Sequence, residues 1–261
     1  MEYNFDKLIP HNLVNDNLLR YGNKNDGGYI FPENIINNSK VLVSLGIKDD
    51  WTFEKDYIRG NNKKVVAYDL VTDSTFFFKC FIILLLNFKI KKSLIYFFKI
   101  FEFPLFFYIK NNVHYRKVGV SNTKRNFITL QSIFDTNNLN SSIFSIDIEG
   151  DEYSIIEDLI KNESKIDAFT IEFHDIEEKL DLFFKSLDKI SSKFKLVHYH
   201  PNNNSRIIFE NKLTDCIELT FINLKYKTEK KNKFKGPIDI DKPCNPEFPE
   251  INIYINKTDG K

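Results

Sequence analysis

The chain has 261 residues with 42% hydrophobic content, which is enough to bury a full core and excludes a disulfide miniprotein or a wholly disordered chain. Lysine plus arginine (37) nearly balances aspartate plus glutamate (36), so no general positive field attracts a nucleic-acid backbone, and we expect no nucleic-acid partner. Three widely spaced cysteines, Cys80, Cys216 and Cys244, argue against a disulfide framework. From residues 1–10 we expect no export signal and a cytoplasmic protein.

Short runs rich in valine and isoleucine alternate with helical stretches, a pattern typical of a parallel sheet with crossover helices. The predicted strands are, in chain order, Lys40 to Leu45, Lys64 to Asp69, His114 to Val120, Ser142 to Asp147, Asp167 to Phe173, Phe194 to Tyr199 and Ile217 to Leu224. The predicted helices include Trp51 to Arg59, with Asp49 or Asp50 as N-cap, Glu152 to Ile160, and one along the stripe Leu180, Phe183, Phe184 and Leu187. No repeat or linker divides the chain, so the sequence predicts one α/β domain over residues 1–261, with a helical insert at about residues 74–110.

The insert holds many of the 26 phenylalanines of the chain. Its longest uncharged run, Cys80 to Phe88, has nine residues, whereas a spanning helix needs about twenty. The pattern predicts two helices broken near Lys89 to Ser93, with Pro104 ending the second. Apolar residues occur nearly all round the first helix, and three interpretations are open: burial beneath other helices, a homodimer interface, or peripheral contact with a membrane surface.

Polar residues follow several of the predicted strands, and an open parallel sheet binds ligands at the carboxyl ends of its strands. Gly46 lets the backbone turn beneath a ligand, and Asp69, about twenty residues further on, is placed to accept hydrogen bonds from two ribose hydroxyls. The loop LGIKDDW has one glycine and lacks the crowded backbone amides that bind a pyrophosphate. A cofactor with ribose and no phosphate fits this pattern, and S-adenosylmethionine is the common one; a sheet end without a ligand is the alternative.

The stretch SIDIEGDEY (Ser145 to Tyr153) resembles the DxEGxE motif of the FkbM family of S-adenosylmethionine-dependent O-methyltransferases. Further segments resemble a branch of that family in the same order: RYGNKNDGGYIF, VSLGIKDDWTFEKD, AYD, VGVSN, IEFH, VHYHPNNN, LTDCIELTF and NPEFPEI. Together they run from about residue 20 to 255, and Val71 to Asn112 resembles nothing in the family. The resemblance implies a Rossmann-like class I methyltransferase with a mainly parallel seven-stranded sheet whose last strand is antiparallel. It also implies methyl transfer to a hydroxyl of a sugar, in bacterial surface polysaccharide or natural-product synthesis.

The resemblance assigns roles to individual residues. Gly46 would approach the methionine end of the cofactor, Asp69 the ribose, and Asp147 the transferring methyl group, while Glu149 would orient the loop. The implied cofactor-binding residues are Asp26, Gly27, Gly28, Tyr29, Gly46, Asp50, Asp69, Ser121, Asn122 and Asp147. Ser121 and Asn122 would lie at the adenine edge of the cofactor.

Methyl transfer to a hydroxyl requires a base that takes the proton of the acceptor. His174 and His200 are the candidates, because an unperturbed imidazole titrates at about pH 6.5, and Asp147 completes the predicted catalytic set. We expect His198 and His200 to point to opposite faces of their strand, and we prefer His200 because it is nearer the end of the strand. A structural role for each histidine is the alternative.

A magnesium site built from Asp147, Glu172 and His174 is an alternative that we do not favour, because magnesium seldom needs histidine. Two other protein classes also stay open. One is a nucleotide-sugar or dinucleotide enzyme on a similar sheet, against which the missing glycine pattern speaks. The other is a non-catalytic, membrane-associated scaffold, which the phenylalanine-rich insert favours.

Overall fold

The computed structural model describes residues 3–59 and 63–257. Its strands are β1 (Asn12–Leu13), β2 (Leu18–Gly22), β3 (Gly28–Pro32), β4 (Val41–Leu45), β5 (Lys64–Asp69), β6 (Val113–Lys117), β7 (Ser142–Ile146), β8 (Ile166–Phe173), β9 (Phe194–Pro201), β10 (Ile207–Phe209), β11 (Leu213–Thr214), β12 (Ile217–Asn223), β13 (Thr228–Glu229), β14 (Lys233–Gly236) and β15 (Ile253–Asn256). Its α-helices are α1 (Glu33–Asn38), α2 (Thr52–Tyr57), α3 (Ser74–Leu86), α4 (Ile90–Phe107), α5 (Leu130–Asn137), α6 (Ile156–Lys161) and α7 (Leu180–Ser191). Three 3₁₀ helices cover Phe5–Leu8, Glu152–Ile155 and Glu163–Lys165.

The central sheet has seven strands in the order β6-β5-β4-β7-β8-β12-β9. Strands β4 to β8 pair in parallel, whereas β12 runs antiparallel to both of its neighbours, β8 and β9. The chain moves outward from β4 to β6 on one side and from β7 to β9 on the other, so the strand order reverses between β4 and β7. This arrangement confirms the expected Rossmann-like class I methyltransferase fold with its last strand antiparallel, and it places a ligand-binding crevice at the carboxyl ends of β4 and β7.

Alternation along the strands divides the core into two layers. On one face, residues such as Val43 and Phe144 pack beneath α5, α6 and α7. On the other face, residues such as Leu42 and Val65 pack beneath α1, α2 and part of the helical pair α3 and α4. Both faces of the sheet are therefore covered, which leaves the ends of the strands as the accessible edge.

Three local features differ from the sequence predictions. The third strand of the sheet, β6, covers Val113–Lys117 and not His114 to Val120, because only the bridge from Val120 to Ile128 continues the pairing. The helix predicted from Glu152 begins as a 3₁₀ turn, since the Glu152 carboxylate folds back onto the preceding loop. The antiparallel hairpin β2–β3 was not predicted, and its Gly22 amide donates to Asp56 of α2 at 2.8 Å.

The insert forms the predicted pair of helices, but the second one is not ended by Pro104. The chain breaks between the helices at Asn87 to Lys89, where Phe88 adopts a left-handed backbone (φ +57°). Pro104 has no amide hydrogen to donate to the carbonyl of Ile100, one turn earlier in the helix. The Ser74 hydroxyl donates to that carbonyl instead, at 3.4 Å, and α4 continues past Pro104 to Phe107.

Much of the helical pair α3–α4, here called the hairpin, faces outward. Phe77 and Phe103 are buried against the sheet, whereas Phe88 is 88% exposed, so burial beneath other helices is wrong for the outer part of the insert. Within the described part of the chain, no helix combines the length and the apolar content that crossing a bilayer requires. The homodimer and membrane-surface interpretations remain for that outer part.

Candidate active site

Two adjoining cavities lie at the carboxyl ends of β4, β5 and β7. The first, of about 220 Å³, has mainly apolar walls, and the second, of about 470 Å³, is lined mainly by polar groups. Gly46, Asp147 and Glu149 line both cavities, so the two adjoin, and together they are here called the cleft. The cleft lies where the strand order reverses, as expected for a ligand site of such a sheet.

Gly46 lies where the two cavities adjoin. Its backbone is left-handed (φ +82°), and a Cβ atom built on it would lie 1.7 Å from the carbonyl oxygen of Asp147. The amide of Gly46 donates to Tyr68 and the amide of Asp147 donates to Leu45, both at 2.8 Å, which fixes the ends of three strands. Only glycine fits here, because both the backbone conformation and the close approach exclude a side chain.

Asp69 ends β5 as predicted, and its carboxylate joins two loops through hydrogen bonds. One oxygen accepts the amides of Ile47 and Lys48 at 3.0 and 2.9 Å, and the other accepts those of Val71 and Thr72 at 2.8 and 2.7 Å. The residue also lines the apolar cavity. Its predicted contact with a ribose would therefore be made by a carboxylate that already holds four backbone amides.

The apolar cavity is built mainly from residues that sequence reasoning did not identify. Its walls include Tyr68, Leu70, Val71, Gly119 and Phe127. Leu70 and Val71 are each more than half exposed directly after β5, and the Phe127 ring lies on Gly119, where a Cβ atom would be 2.2 Å from the ring. An aromatic ring and two aliphatic side chains around a narrow space can hold a flat, apolar group. A glycine followed by a phenylalanine eight residues later is too common a pattern to have indicated this.

Ser121 and Asn122, predicted at the adenine edge, lie just beyond the lining of this cavity. The Asn122 amide group donates to Asp158 at 2.9 Å and accepts the Leu130 amide at 3.2 Å, so it holds α5 and α6 together. Ser121 is buried, and its hydroxyl donates to Asp151 at 3.4 Å. Asp151 itself lines the cavity. Its carboxylate, paired with Lys124, therefore brings a polar group to the cavity next to Ser121.

The polar cavity collects most of the other predicted residues. Its lining comprises Asn23, Asp26, Gly27, Tyr29, Gly46, Ile47, Lys48, Asp49, Asp50, Glu54, Lys99, Asp147, Glu149, Glu172, His174, Asn202 and Asn204. Gly28, the second glycine of the DGGY segment, lies behind this lining, where a Cβ atom would be 1.9 Å from the carbonyl oxygen of Asn23. Gly28 therefore closes the β2–β3 turn and does not itself reach the cavity.

Asp50 connects this turn to the helix behind it. One carboxylate oxygen accepts both the amide and the hydroxyl of Thr52, at 2.8 and 2.6 Å, at the start of α2. The other accepts the Asn23 side-chain amide at 2.7 Å. The prediction that Asp49 or Asp50 is the N-cap of α2 is wrong, because the helix begins at Thr52 and its N-cap is Trp51. Asp50 instead links the start of this helix to the β2–β3 turn over the cavity.

The motif loop after β7 is held from below by Glu152. This fully buried carboxylate accepts the Ile148 amide at 3.2 Å and the Gly150 amide at 3.0 Å. The loop backbone is left-handed at Glu149 (φ +52°) and at Gly150 (φ +101°), which turns the Glu149 side chain toward the cleft. In the motif, Glu149 therefore lines the cavity, and Glu152 positions the loop.

His174 is the imidazole that the structure brings to the cavity. Its Nδ1 lies 3.0 Å from Oε1 of Glu152, and its Nε2 lies 3.8 Å from both Asp147 Oδ1 and Glu149 Oε2. Burial lowers the pKa of His174, but the hydrogen bond and charge of Glu152, with Glu172 and Asp147, outweigh burial and raise the pKa to about 9. The bond to Glu152 assigns the proton to Nδ1 in the neutral ring, which leaves Nε2 as the proton-accepting atom.

Asp147 lines the cavity with a carboxylate whose hydrogen bonds are incomplete. Its Oδ1 is a buried atom with no hydrogen-bond partner among the described residues. Burial, followed by repulsion from Glu172, raises the pKa of Asp147 well above its usual range, although the nearby His174 lowers it. A cationic or proton-donating ligand would relieve both effects.

His200 does not line the cavity. It is buried behind the polar cavity, with Nε2 3.1 Å from Glu250, and the loop between β14 and β15 covers it. The expectation that His198 and His200 point to opposite faces is wrong, because residues two positions apart on a strand share a face. Their rings lie roughly parallel, 6.3 Å apart, and His198 pairs with Asp241 at 2.8 Å.

Among the residues that the structure describes, two groups of side chains could provide metal ligands. Asp147, Glu149 and His174 place one potential ligand atom each within 4.8 Å of one another, and so do Glu172, His174 and Cys216. The set predicted for magnesium, Asp147 with Glu172 and His174, is thus divided between them. Glu172 already accepts hydrogen bonds from Asn202 at 2.9 Å and from the Cys216 thiol at 2.8 Å, which is typical of a structural carboxylate.

Comparison with known proteins gives distant structural matches alone. No protein-family model and no curated protein sequence matches the chain, and the resemblance to the FkbM family stays a prediction. Solved structures that match include Methanococcus jannaschii fibrillarin (11% identity, TM-score 0.40, 72% of this chain and 68% of that one). Streptococcus pneumoniae Sp1610 in complex with S-adenosyl-L-methionine also matches (12%, 0.40, 74% and 70%). So does M. capricolum TrmK in complex with S-adenosyl-homocysteine (16%, 0.37, 74% and 67%). Similarity at this level assigns neither activity nor substrate, and the strand order of the sheet itself defines the fold.

Proposed function

We propose that this chain is an S-adenosylmethionine-dependent O-methyltransferase. The observation that carries the proposal is the two-part cleft, in which an apolar cavity and a carboxylate-lined cavity meet at Gly46 and Asp147. The apolar part suits a nucleoside between Phe127 and the exposed aliphatic pair after β5. The polar part suits the charged methionine end of the cofactor and an acceptor beside it.

The charges around the meeting point support a sulfonium ligand. Asp147 and Glu149 line both cavities, and the buried Oδ1 of Asp147 has no partner among the described residues. When bound, S-adenosylmethionine supplies a methyl group already activated by the positive charge on its sulfur. A positive charge next to Asp147 would stabilise the ionised carboxylate, whose pKa is raised in the free protein. A pyrophosphate, in contrast, would be repelled here.

The acceptor we propose is a hydroxyl of a sugar, as the sequence resemblance implies. Asn23, Asn202 and Asn204 line the polar cavity, beside Asp26 and the motif carboxylates. Such a set of closely spaced donors and acceptors can bind several neighbouring hydroxyls. The source of that sugar, in surface polysaccharide or natural-product synthesis, belongs to the same proposal.

His174 is the base in this proposal, in place of His200. Nε2 of His174 would take the hydroxyl proton of the acceptor as its oxygen receives the methyl group that bound S-adenosylmethionine would supply, with S-adenosylhomocysteine as the leaving group. Glu152 keeps the ring oriented and stabilises the imidazolium that results. His200 lies behind the cavity wall, and its hydrogen bond to Glu250 attaches the covering loop to β9.

Two matched histidine variants test this assignment. Methyl transfer from labelled S-adenosylmethionine to a panel of simple glycosides would be measured for wild type, His174→Gln and His200→Gln. We expect His174→Gln to lower kcat by about a hundredfold or more, since general-base catalysis contributes about 10²–10⁴-fold. We expect folded His200→Gln to keep the wild-type pH profile. A His174→Gln enzyme with the wild-type kcat would disprove the role of His174.

A further inference from the structure

The hairpin α3–α4 has an inner and an outer side of different character. On the inner side, Phe77 and Phe103 pack around Trp51, with ring centroids 5.7 and 5.8 Å from the indole. Between the helices, the Ser93 hydroxyl donates to the carbonyl of Phe81 at 3.1 Å. The hairpin is thus packed firmly against the rest of the domain, and its outer surface has a defined shape.

The outer side of α4 carries a continuous apolar stripe. Its five members recur every three or four residues on one helical face, and each is more than half exposed: Ile90, Leu94, Phe98, Phe101 and Leu105. Leu86 and Phe88 extend the apolar surface to the turn between the helices, with 72% and 88% exposure. A stripe with this spacing normally faces a core, and so large an exposed apolar surface marks an interaction site.

The charges on the hairpin are mainly positive. Residues 74–110 contain six lysines and a single acidic residue, Glu102. Lys89, Lys91 and Lys92 are exposed at the turn, directly beside the apolar residues there. The surface therefore offers apolar contact and positive charge together.

A groove at the base of the stripe repeats this combination. It has a volume of about 490 Å³ and lies between α2 and the end of α4. Lys55, Arg59 and Lys110 line it, together with Leu105 and the single acidic residue of the hairpin. Lys55 pairs with Glu102 and Arg59 pairs with Asp56, so the groove adds apolar surface and a small excess of positive charge at the base of the stripe.

This pattern distinguishes a membrane from a second copy of the chain. Two hairpins packed stripe to stripe would bring two basic surfaces together, and like charges at an interface are unfavourable. An anionic bilayer instead presents negative headgroups above an apolar interior. Helix α4, with 18 residues, is about 27 Å long and can lie along the bilayer surface.

We infer that the hairpin is a membrane-docking element that rests on an anionic bilayer surface. Its apolar stripe lies at the boundary of headgroups and acyl chains, and the lysines of the turn extend to the headgroups. The middle of α4 adjoins the polar cavity, because Lys99 lines that cavity and pairs with Asp49 at 3.3 Å. Docking would thus bring the cleft next to the membrane. The inference rests on the surface of the hairpin and holds whether or not the proposed chemistry is correct.

Vesicle flotation tests this inference on the full chain. We expect the protein to float with phosphatidylcholine vesicles that contain about one quarter phosphatidylglycerol, and to float much less with phosphatidylcholine alone. Raising the salt to about 1 M, where the Debye length is about 3 Å, should weaken binding. Each lysine near an anionic surface contributes about fivefold, so a variant with Lys89, Lys91 and Lys92 changed to Gln should bind on the order of a hundredfold more weakly.

The apolar contribution is tested by Phe98→Ser with Phe101→Ser, and Ile207→Ser is the control at another half-exposed apolar position. We expect the stripe variant to lose flotation and the control to keep it. If the stripe variant does not fold, Phe88→Ser at the turn replaces it. A wild-type protein that stays at the bottom with anionic vesicles would overturn the inference. So would a folded stripe variant that floats like wild type, or a stripe-dependent dimer in sedimentation without vesicle binding.

Discussion

The cleft and the hairpin hold their surfaces in place by different means. In the cleft, the polar groups are fixed from below by backbone contacts: Asp69 accepts four amides, and Glu152 holds both the motif loop and His174. On the hairpin, large apolar side chains such as Phe98 stand mostly exposed. The cleft therefore has the rigidity that positioning a reaction requires, whereas the outer hairpin has a surface that needs another phase or molecule to cover it.

The first prediction compares the two sides of α4. Phe103 is fully buried and Phe98 is 60% exposed. We expect Phe103→Ala to lower the free energy of unfolding by about 3–5 kcal/mol, and Phe98→Ala to change it by less than about 0.5 kcal/mol. Denaturant unfolding of both variants checks this. Equal losses would mean that the stripe on α4 is buried in the free protein.

The second prediction concerns the rigidity of the cleft. At Gly46, alanine would add left-handed strain of about 1–2 kcal/mol and an overlap with the Asp147 carbonyl of about 1–3 kcal/mol, so we expect a loss of about 3 kcal/mol. Gly150→Ala is the matched control, because its backbone is also left-handed but the nearest atom is the movable Asp175 side chain at 3.0 Å. A Gly46→Ala protein as stable as the control would show that the strand ends are not tightly fixed.

The third prediction concerns the pH dependence of methyl transfer. The neutral ring of His174 accepts the proton, and its pKa in the free protein is raised to about 9. We therefore expect kcat/KM, which reports the free enzyme, to rise about tenfold per pH unit from neutrality and to level off at about pH 9. A profile that is already flat above about pH 6.5 would contradict the pairing of His174 with Glu152.

The fourth prediction is that removing metal ions does not change the rate of methyl transfer. If His174 takes the proton without a metal, methyl transfer should be unchanged after treatment with EDTA. Loss of activity that added magnesium restores would contradict this. It would instead favour the group formed by Asp147, Glu149 and His174.

The sequence predicted the sheet well because its strands are buried on both faces and form continuous apolar runs with clear ends. The sequence also predicted that Asp147 and His174 share one site, since both directly follow neighbouring parallel strands. It misplaced His200, because the covering loop with Glu250 comes from a segment about fifty residues away. A contact of that kind leaves no local pattern in the sequence.

The apolar cavity and the outer hairpin were harder to predict for a related reason. Phe127 and Val71 line the cavity only through the way their loops fold, which spacing does not determine. In the hairpin, an apolar residue such as Phe98 has the same pattern whether a helix, a second copy or a membrane covers it. Pro104 was misjudged because the Ser74 hydroxyl, from the other helix, bonds the carbonyl that the proline leaves free.

Binding of S-adenosylhomocysteine, measured by calorimetry, tests the central claim most directly. The design uses Val71→Trp, which fills the apolar cavity from a position that is 57% exposed, and Ile207→Trp, a control that is 50% exposed on β10. The account predicts binding by wild type and Ile207→Trp, and none by folded Val71→Trp. Folded wild-type protein that binds no S-adenosylhomocysteine, or equal binding by Val71→Trp, would contradict it.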